Sequence, residues 1–197
     1  MKEITFQVAA VADGGAAVGR VDGKAAFIEF CAPGETVRAR VVEEKKNFLR
    51  AKLIEVLIPS PLRVEPRCQH YGLCGGCSWQ HLEYGAALSG KAESFKGFAK
   101  SRLKVAEDLF APPIASPNPW GYRNRVSLQV AGHGGAVGFA KASTNEVFPL
   151  KICPVLTSEV ERCALTLSSL IPKVHAGIER VEIQEDSTGE LFGIFTA

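Results

Sequence analysis

Over residues 1–57 the apolar positions recur every second residue, the period of a strand that turns one face to a core. Ile4, Phe6 and Val8 alternate with polar or small neighbours. Gly14-Gly15 reads as a turn, Asp22-Gly23 as a second between runs 18–21 and 25–30, and Pro33-Gly34 as a third break. Val37, Ala39 and Val41 then share one face of a strand. Leu49, Ala51 and Leu53 share one face of the next, across the polar stretch 43–47. The opposite face carries Arg38, Arg40, Arg50 and Lys52 whatever the register, because successive side chains point to opposite sides. Five short strands at this spacing predict a small barrel of the oligonucleotide-binding type. The cations on its outer face either hold phosphates or keep a solvent face soluble.

Residues 58–67 contain three prolines and read as a linker, followed by a cysteine-rich loop. Leu88, Ala92, Phe95, Ala99 and Leu103 then recur at helical spacing, although Gly90 and Gly97 weaken a helix. From Pro112 the period returns to two. Asn124, Val126, Leu128 and Val130 alternate with Arg123, Arg125, Ser127 and Gln129, which predicts a half-buried strand. The glycine-rich run 132–138 is followed by an apolar strand from Val137, not by a helix, so it reads as a hairpin turn and not a nucleotide loop. A further strand is expected over 146–153. Ser158 and Glu161 have the spacing of a capping box, opening a helix with Val160, Cys163, Ala164, Leu167 and Ile171 on one stripe and its end at Pro172. A last hairpin turns over 186–189. The expected class is mainly β (α+β), divided as 1–57 barrel, 58–110 linker, cysteine loop and helix, and 111–197 antiparallel β domain.

Composition sharpens this picture in two places. The chain has 197 residues and a net charge of +2, unevenly spread. Residues 58–125 hold 9 Lys/Arg against 5 Asp/Glu, whereas 126–197 hold 5 against 8, so positive charge gathers in the middle, where a polyanion would bind. No stretch approaches the roughly 20 apolar residues of a membrane span, and the N-terminus lacks the apolar core of a secretory signal. A cytoplasmic protein is expected. In that reducing compartment its six cysteines point to metal or redox chemistry and not to disulfides.

Three of the six lie within ten residues, as Cys68-x5-Cys74-Gly-Gly-Cys77. Thiolates bind soft metal centres, and a short glycine-containing loop lets several sulfurs converge. A 4Fe-4S cluster takes four thiolates, so a fourth must come from Cys31, Cys153 or Cys163. Cys31 ends a barrel strand and Cys163 lies on a helix stripe, both ordinary places for a buried thiol. Cys153, at a strand end before Pro154, is the choice. Zinc is the rival, since His70 and His81 fall in the same segment and Cys68, Cys74, Cys77 and His81 would make a Cys3His site. Tyr71 and Trp79, beside the cysteines, either stack on unpaired bases or pack around the cluster. Gln80 either meets a base edge or caps the next helix, and Arg123 and Arg125 either grip a nucleic-acid backbone or pair with nearby acids.

The run PSPLRVEPRCQHYGLCGGCSWQHLEY resembles the bacterial 23S rRNA (uracil-5-)-methyltransferases, in which an RNA-binding TRAM barrel precedes a C-x5-C-G-G-C loop. The stretch DGKAAFIEFCAPGETV resembles the TRAM core, GYRNR the start of the central β domain, and KICPVL the segment carrying the fourth cluster cysteine, here Cys153. The resemblance covers nearly the whole chain. It implies a 4Fe-4S cluster on Cys68, Cys74, Cys77 and Cys153, and RNA, 23S rRNA above all, as partner of a monomer. It also implies an S-adenosylmethionine-binding catalytic domain, in which a cysteine adds to C6 of uracil and a glutamate removes the C5 proton. No motif for either residue is found in these 197 positions, so this chain is expected to lack that domain and to be inactive alone. A free-standing zinc-containing RNA-binding protein is the alternative.

Overall fold

A computed structural model describes residues 2–132, 135–174 and 177–197. The chain forms two compact units, each discontinuous in sequence: residues 1–66 with 78–115, and 67–77 with 116–197. The segment 58–110, which the sequence groups together, is therefore shared: the cysteine loop belongs to the second unit and the helix after it to the first.

In the first unit β1 (Glu3–Val11), β2 (Ala17–Val21), β3 (Lys24–Ile28), β4 (Thr36–Glu44) and β5 (Phe48–Ile58) close a barrel in the order β1-β2-β3-β5-β4. All pairs are antiparallel except β3 with β5. The alternation works as expected: Ile4, Phe6, Val8, Val37, Ala39, Leu49 and Ala51 fill the core with Ala17, Ala26, Ile28 and Cys31. Burial pushes the Cys31 thiol up to about 12, the behaviour of a small core residue.

The stretch after β5 is no free linker. Glu35 is fully buried, and its carboxylate receives the Ala32 N–H at 2.8 Å and the Arg63 guanidinium at 2.5 and 2.8 Å. Arg63 also donates to the Phe30 carbonyl at 2.8 Å. Burial alone would raise the Glu35 pKa, but the Arg63 hydrogen bonds and charge with the Ala32 and Ser60 amides hold it below the usual carboxylate range. Val64 N–H meets the His81 carbonyl at 3.0 Å and Glu83 N–H the Leu62 carbonyl at 2.9 Å, so the proline-rich segment is stitched to the start of the helix.

That helix, α1 (Tyr84–Leu103), has the expected extent, and Glu83 caps its N-terminus by accepting Ala86 N–H at 3.0 Å. Its buried face follows the expected stripe only in part, at Ala99 and the half-buried Leu88 and Ala92. Phe95 is 63% and Leu103 64% exposed, and the residues buried are Ala87 and Ala99. Small residues face the barrel side because the space is taken by Trp79, whose indole would lie 2.8 Å from a Cβ at Gly90 and 2.8 Å from one at Gly15. Gly15 also has φ +90°, a backbone that favours glycine.

The second unit carries a five-stranded antiparallel sheet in the order β10-β9-β6-β7-β8, from β6 (Arg125–Val130), β7 (Val137–Ala140), β8 (Val147–Pro149), β9 (Arg180–Glu185) and β10 (Leu191–Thr196). The turn expected over 132–138 falls partly on residues 133 and 134, outside the described residues. The strand expected over 146–153 is only three residues long, because from Lys151 the chain bonds elsewhere, Lys151 N–H to His70 and Cys153 N–H to Glu161. Helix α2 (Ser158–Val174) packs Val160, Ala164 and Ile171 onto Val126, Leu128, Val181 and Ile183. It runs through Pro172, where the missing amide costs a single bond in the last turn. The capping box does not form: Thr157, not Ser158, receives the Val160 N–H at 3.4 Å, and Glu161 turns to the Cys153 N–H at 2.5 Å. Asn124 is exposed and lies outside the strand, donating to the Glu185 carbonyl at 2.9 Å.

Candidate four-cysteine centre and cationic faces

The cysteine loop is built from consecutive tight turns. Tyr71 N–H meets the Cys68 carbonyl at 3.0 Å, while Leu73 and Cys74 N–H share the His70 carbonyl at 3.0 and 2.8 Å. Ala142 N–H bonds to the Leu73 carbonyl at 2.9 Å, docking the loop on the turn after β7. His70 is buried. It receives the Lys151 N–H on Nε2 at 3.2 Å and rests its ring 5.0 Å from that of Phe148. This bond ties the loop to the segment that contains Cys153.

That segment is held from three sides. Cys153 N–H is taken by Glu161 of α2, Gly121 N–H reaches the Pro154 carbonyl at 3.0 Å, and Arg123 N–H reaches the Val155 carbonyl at 2.7 Å. The consequence is electrostatic. Burial pushes the Cys153 thiol up to about 11, with a further contribution from each of Cys68, Cys77 and Cys74. Cys74 is raised by burial and by Cys77 and Cys68, and is drawn back by the Gly76 N–H, 3.4 Å from its sulfur, and by the Arg123 charge. Four thiols separated by up to 85 positions in sequence therefore belong to one unit. Ionising them together is unfavourable without a cationic centre between them.

Among the described residues no three Cys, His, Asp or Glu side chains converge closely enough for a single metal ion. A cubane asks for a wider arrangement, since each thiolate binds a different iron, and an all-cysteine donor set matches it. His81 belongs to the first unit, buried, with Nε2 3.0 Å from the Cys31 carbonyl, and His70 Nε2 is occupied by Lys151. Cys31 is consumed by the barrel core and Cys163 packs among the apolar residues beneath the sheet.

The cationic residues are dispersed. Arg38, Arg40, Arg50 and Lys52 share the exposed barrel face, but acids are interleaved with them. Arg38 pairs with Glu55 at 2.7 Å, Arg40 with Glu3 at 3.4 Å and Arg50 with Glu43 at 3.4 Å. Arg50 also lies over the Phe27 and Phe48 rings, 5.9 and 5.8 Å from their centroids. Tyr71 lies in the cysteine loop, whereas Trp79 and Gln80 belong with the barrel and α1. Trp79 therefore packs on Gly15 and Gly90, a role that neither expectation for it included. Arg125 pairs with Glu182 on the neighbouring strand, and Arg123 lies beside the cysteines.

Residues 2–54 match the TRAM domain family. The chain is similar to the 23S rRNA (uracil(1939)-C(5))-methyltransferase RlmD of Marinomonas sp., with 36% identity over 94% of this chain and 42% of that protein. It is similar also to the RlmD of Azoarcus sp., with 38% identity over 80% of this chain and 37% of that protein. The crystal structure of the Pyrococcus abyssi tRNA (uracil-54, C5)-methyltransferase in complex with S-adenosyl-L-homocysteine superposes with a TM-score of 0.63 at 25% identity, covering 96% of this chain and 45% of that one. The chain thus spans about two-fifths of the length of the curated relatives it matches.

Proposed function

We propose, from the premise that this chain carries a TRAM domain and is homologous over most of its length to the 23S rRNA (uracil-C5)-methyltransferases, that it is the RNA-holding and iron-sulfur portion of such an enzyme. The whole protein would methylate C5 of a uracil in 23S rRNA in the cytoplasm, taking the methyl group from S-adenosylmethionine. These 197 residues would contribute binding and no methyl transfer of their own.

The observation that supports the reading is the hydrogen bond from Lys151 N–H to His70, which ties the loop of Cys68, Cys74 and Cys77 to the segment of Cys153 within one unit of the homologous chain. These four thiolates would hold a 4Fe-4S cluster, which when bound supplies a cross-link between the loop and the segment before α2. Arg123 and the Gly76 amide offset the negative charge of the sulfurs. Arg38, Arg40, Arg50 and Lys52 would position the RNA backbone, the three arginines exchanging an exposed carboxylate partner for phosphate. Such exposed pairs are worth at most about 1 kcal/mol, so the exchange is inexpensive. Tyr71, Gln80 and Arg125 are further candidates for RNA contact.

The test is metal and sulfide analysis of anaerobically purified protein. About four iron and four sulfide per chain are expected, with visible absorbance, and zinc alone would overturn the cluster. Cys153→Ser should lose iron and lower the melting temperature, while Cys163→Ser keeps both near wild type. Equal iron in the two variants would remove Cys153 from the set.

A further inference from the structure

The first unit contains a groove that the proposed function leaves unused. It lies between the Asp13–Gly15 turn and α1, has a volume of about 440 Å3, and is lined by Trp79, Lys91, Phe95 and Phe98 with Gly14 and Gly15 at its edge. That volume falls in the range of small-ligand clefts, roughly 300–1,000 Å3. Its floor is rigid. The Trp79 indole is wedged between Gly15 and Gly90, and a methyl group at either glycine would come within 2.8 Å of it. Its walls are unusual for a surface helix: Phe95 is 63% and Phe98 51% exposed. Phe95 is braced edge-on by Phe110 at 6.2 Å, which holds its ring upright beside the groove.

Charge indicates what the groove would accept. Between positions 84 and 104 the chain carries five cations and one acid. Lys96 and Lys100 have carboxylate partners in Glu93 and Glu107. Lys91 has no carboxylate partner among the described residues, and its ammonium stands 5.8 Å from the centroid of the Trp79 ring, at the groove itself. An aliphatic protein segment would need no cation there. An unpaired nucleotide uses both features, because every base has a face to stack and every linkage a phosphate.

We propose that this groove is a single-nucleotide RNA subsite, in which an unpaired base stacks against Trp79, Phe95 and Phe98 while Lys91 meets the adjoining phosphate. The inference rests on the RNA-binding reading above and assigns it a second surface, distinct from the barrel face of Arg38 and Arg40.

The experiment is a salt-dependent binding titration of a fluorescently labelled, unstructured 12-nucleotide RNA against the 197-residue chain, its melting temperature checked for each variant. Phe95→Ala with Phe98→Ala should weaken binding about tenfold or more, as expected for a lost base stack, with little change in salt dependence. Lys91→Ala should instead reduce the dependence on salt by close to one counterion. Ultraviolet crosslinking of 5-bromouridine RNA should map to Trp79 or Phe95. If the phenylalanine variant binds as wild type while Arg38→Ala with Arg40→Ala weakens binding, the groove proposal fails, its occupant is sought among proteins, and the barrel reading stands. If the unmodified chain fails to bind the RNA, the RNA reading itself falls and this proposal with it.

Discussion

Arg63→Met tests the link between the barrel and the segment that follows it. Glu35 is wholly buried, and beyond Arg63 its carboxylate has the Ala32 amide at 2.8 Å and the more distant Ser60 amide at 3.4 Å. Breaking a buried ion pair on one side costs about 3–5 kcal/mol, because the other charge stays uncompensated. Arg63 is 27% exposed, so water reaches the vacated site and the lower end applies, about 3 kcal/mol. For a chain of this size that corresponds to a fall in melting temperature of about 6–12 °C. The double variant Glu35→Gln, Arg63→Met should recover part of the loss, since it removes the stranded charge. The pH dependence has a definite sign. The folded carboxyl is held below its unfolded value, so its stabilising contribution is complete above the unfolded carboxylate pKa, about 4.3, and fades as pH falls through the folded value. The gap between wild type and Arg63→Met should therefore be widest near neutrality and narrow on acidification. Urea unfolding followed by circular dichroism at several pH values measures this. A cost below about 1 kcal/mol at pH 7, or a gap that grows in acid, would refute the reasoning.

Two glycines of α1 should respond in opposite directions to the same substitution. Gly97→Ala meets nothing within 4 Å and should stabilise by about 0.5–1 kcal/mol, whereas Gly90→Ala collides with Trp79 and should destabilise despite its better helix propensity; thermal melts of both variants check this. Thr157→Ala removes the hydroxyl that caps α2 and bonds to Glu185 at 2.5 Å, and should cost about 1–2 kcal/mol, while Thr157→Ser should restore most of it. Equal melting temperatures for Thr157→Ala and wild type would return the cap to Ser158.

The barrel was legible because a closed sheet imposes one rule, alternation, on every strand, and Ile4, Phe6, Val37, Ala39, Leu49 and Ala51 obey it. The existence of α1 was legible for the same kind of reason, but its buried face was not. The apolar spacing pointed to Phe95 and Leu103 as well as Ala99, whereas the packing partner is the Trp79 indole, eleven residues before Gly90, which demands glycine there, a residue with no hydrophobic signature of its own. The Glu35–Arg63 pair was hidden because a glutamate at a strand start and an arginine among prolines each look like surface residues; only their meeting makes them a buried unit. The capping box was misread through a genuine ambiguity. Thr157 and Ser158 are both good caps, and the choice fell to Thr157 once Glu161 was drawn away by the Cys153 amide. The cysteine loop announced itself by spacing, while the bond from His70 to Lys151 that orients it left no trace in the sequence.

The two cationic surfaces of the first unit differ in a way that bears on how RNA would be held. On the barrel Arg38, Arg40 and Arg50 each have a carboxylate within 2.7–3.4 Å, so a phosphate arriving at one of them displaces an acid as well as counterions, and the net gain per contact is small. Such a face suits registration of a backbone without strong grip. At α1 the rim lysine has no acid to displace among the described residues, and the aromatic rings add a contribution that salt does not screen. On the proposed reading, raising the salt should therefore weaken the barrel contact first and leave the stacked nucleotide as the residual anchor. Binding to the chain should accordingly lose affinity with salt along a shallower slope than its count of 23 lysines and arginines suggests, and the Phe95→Ala, Phe98→Ala variant should keep its roughly tenfold deficit as salt rises.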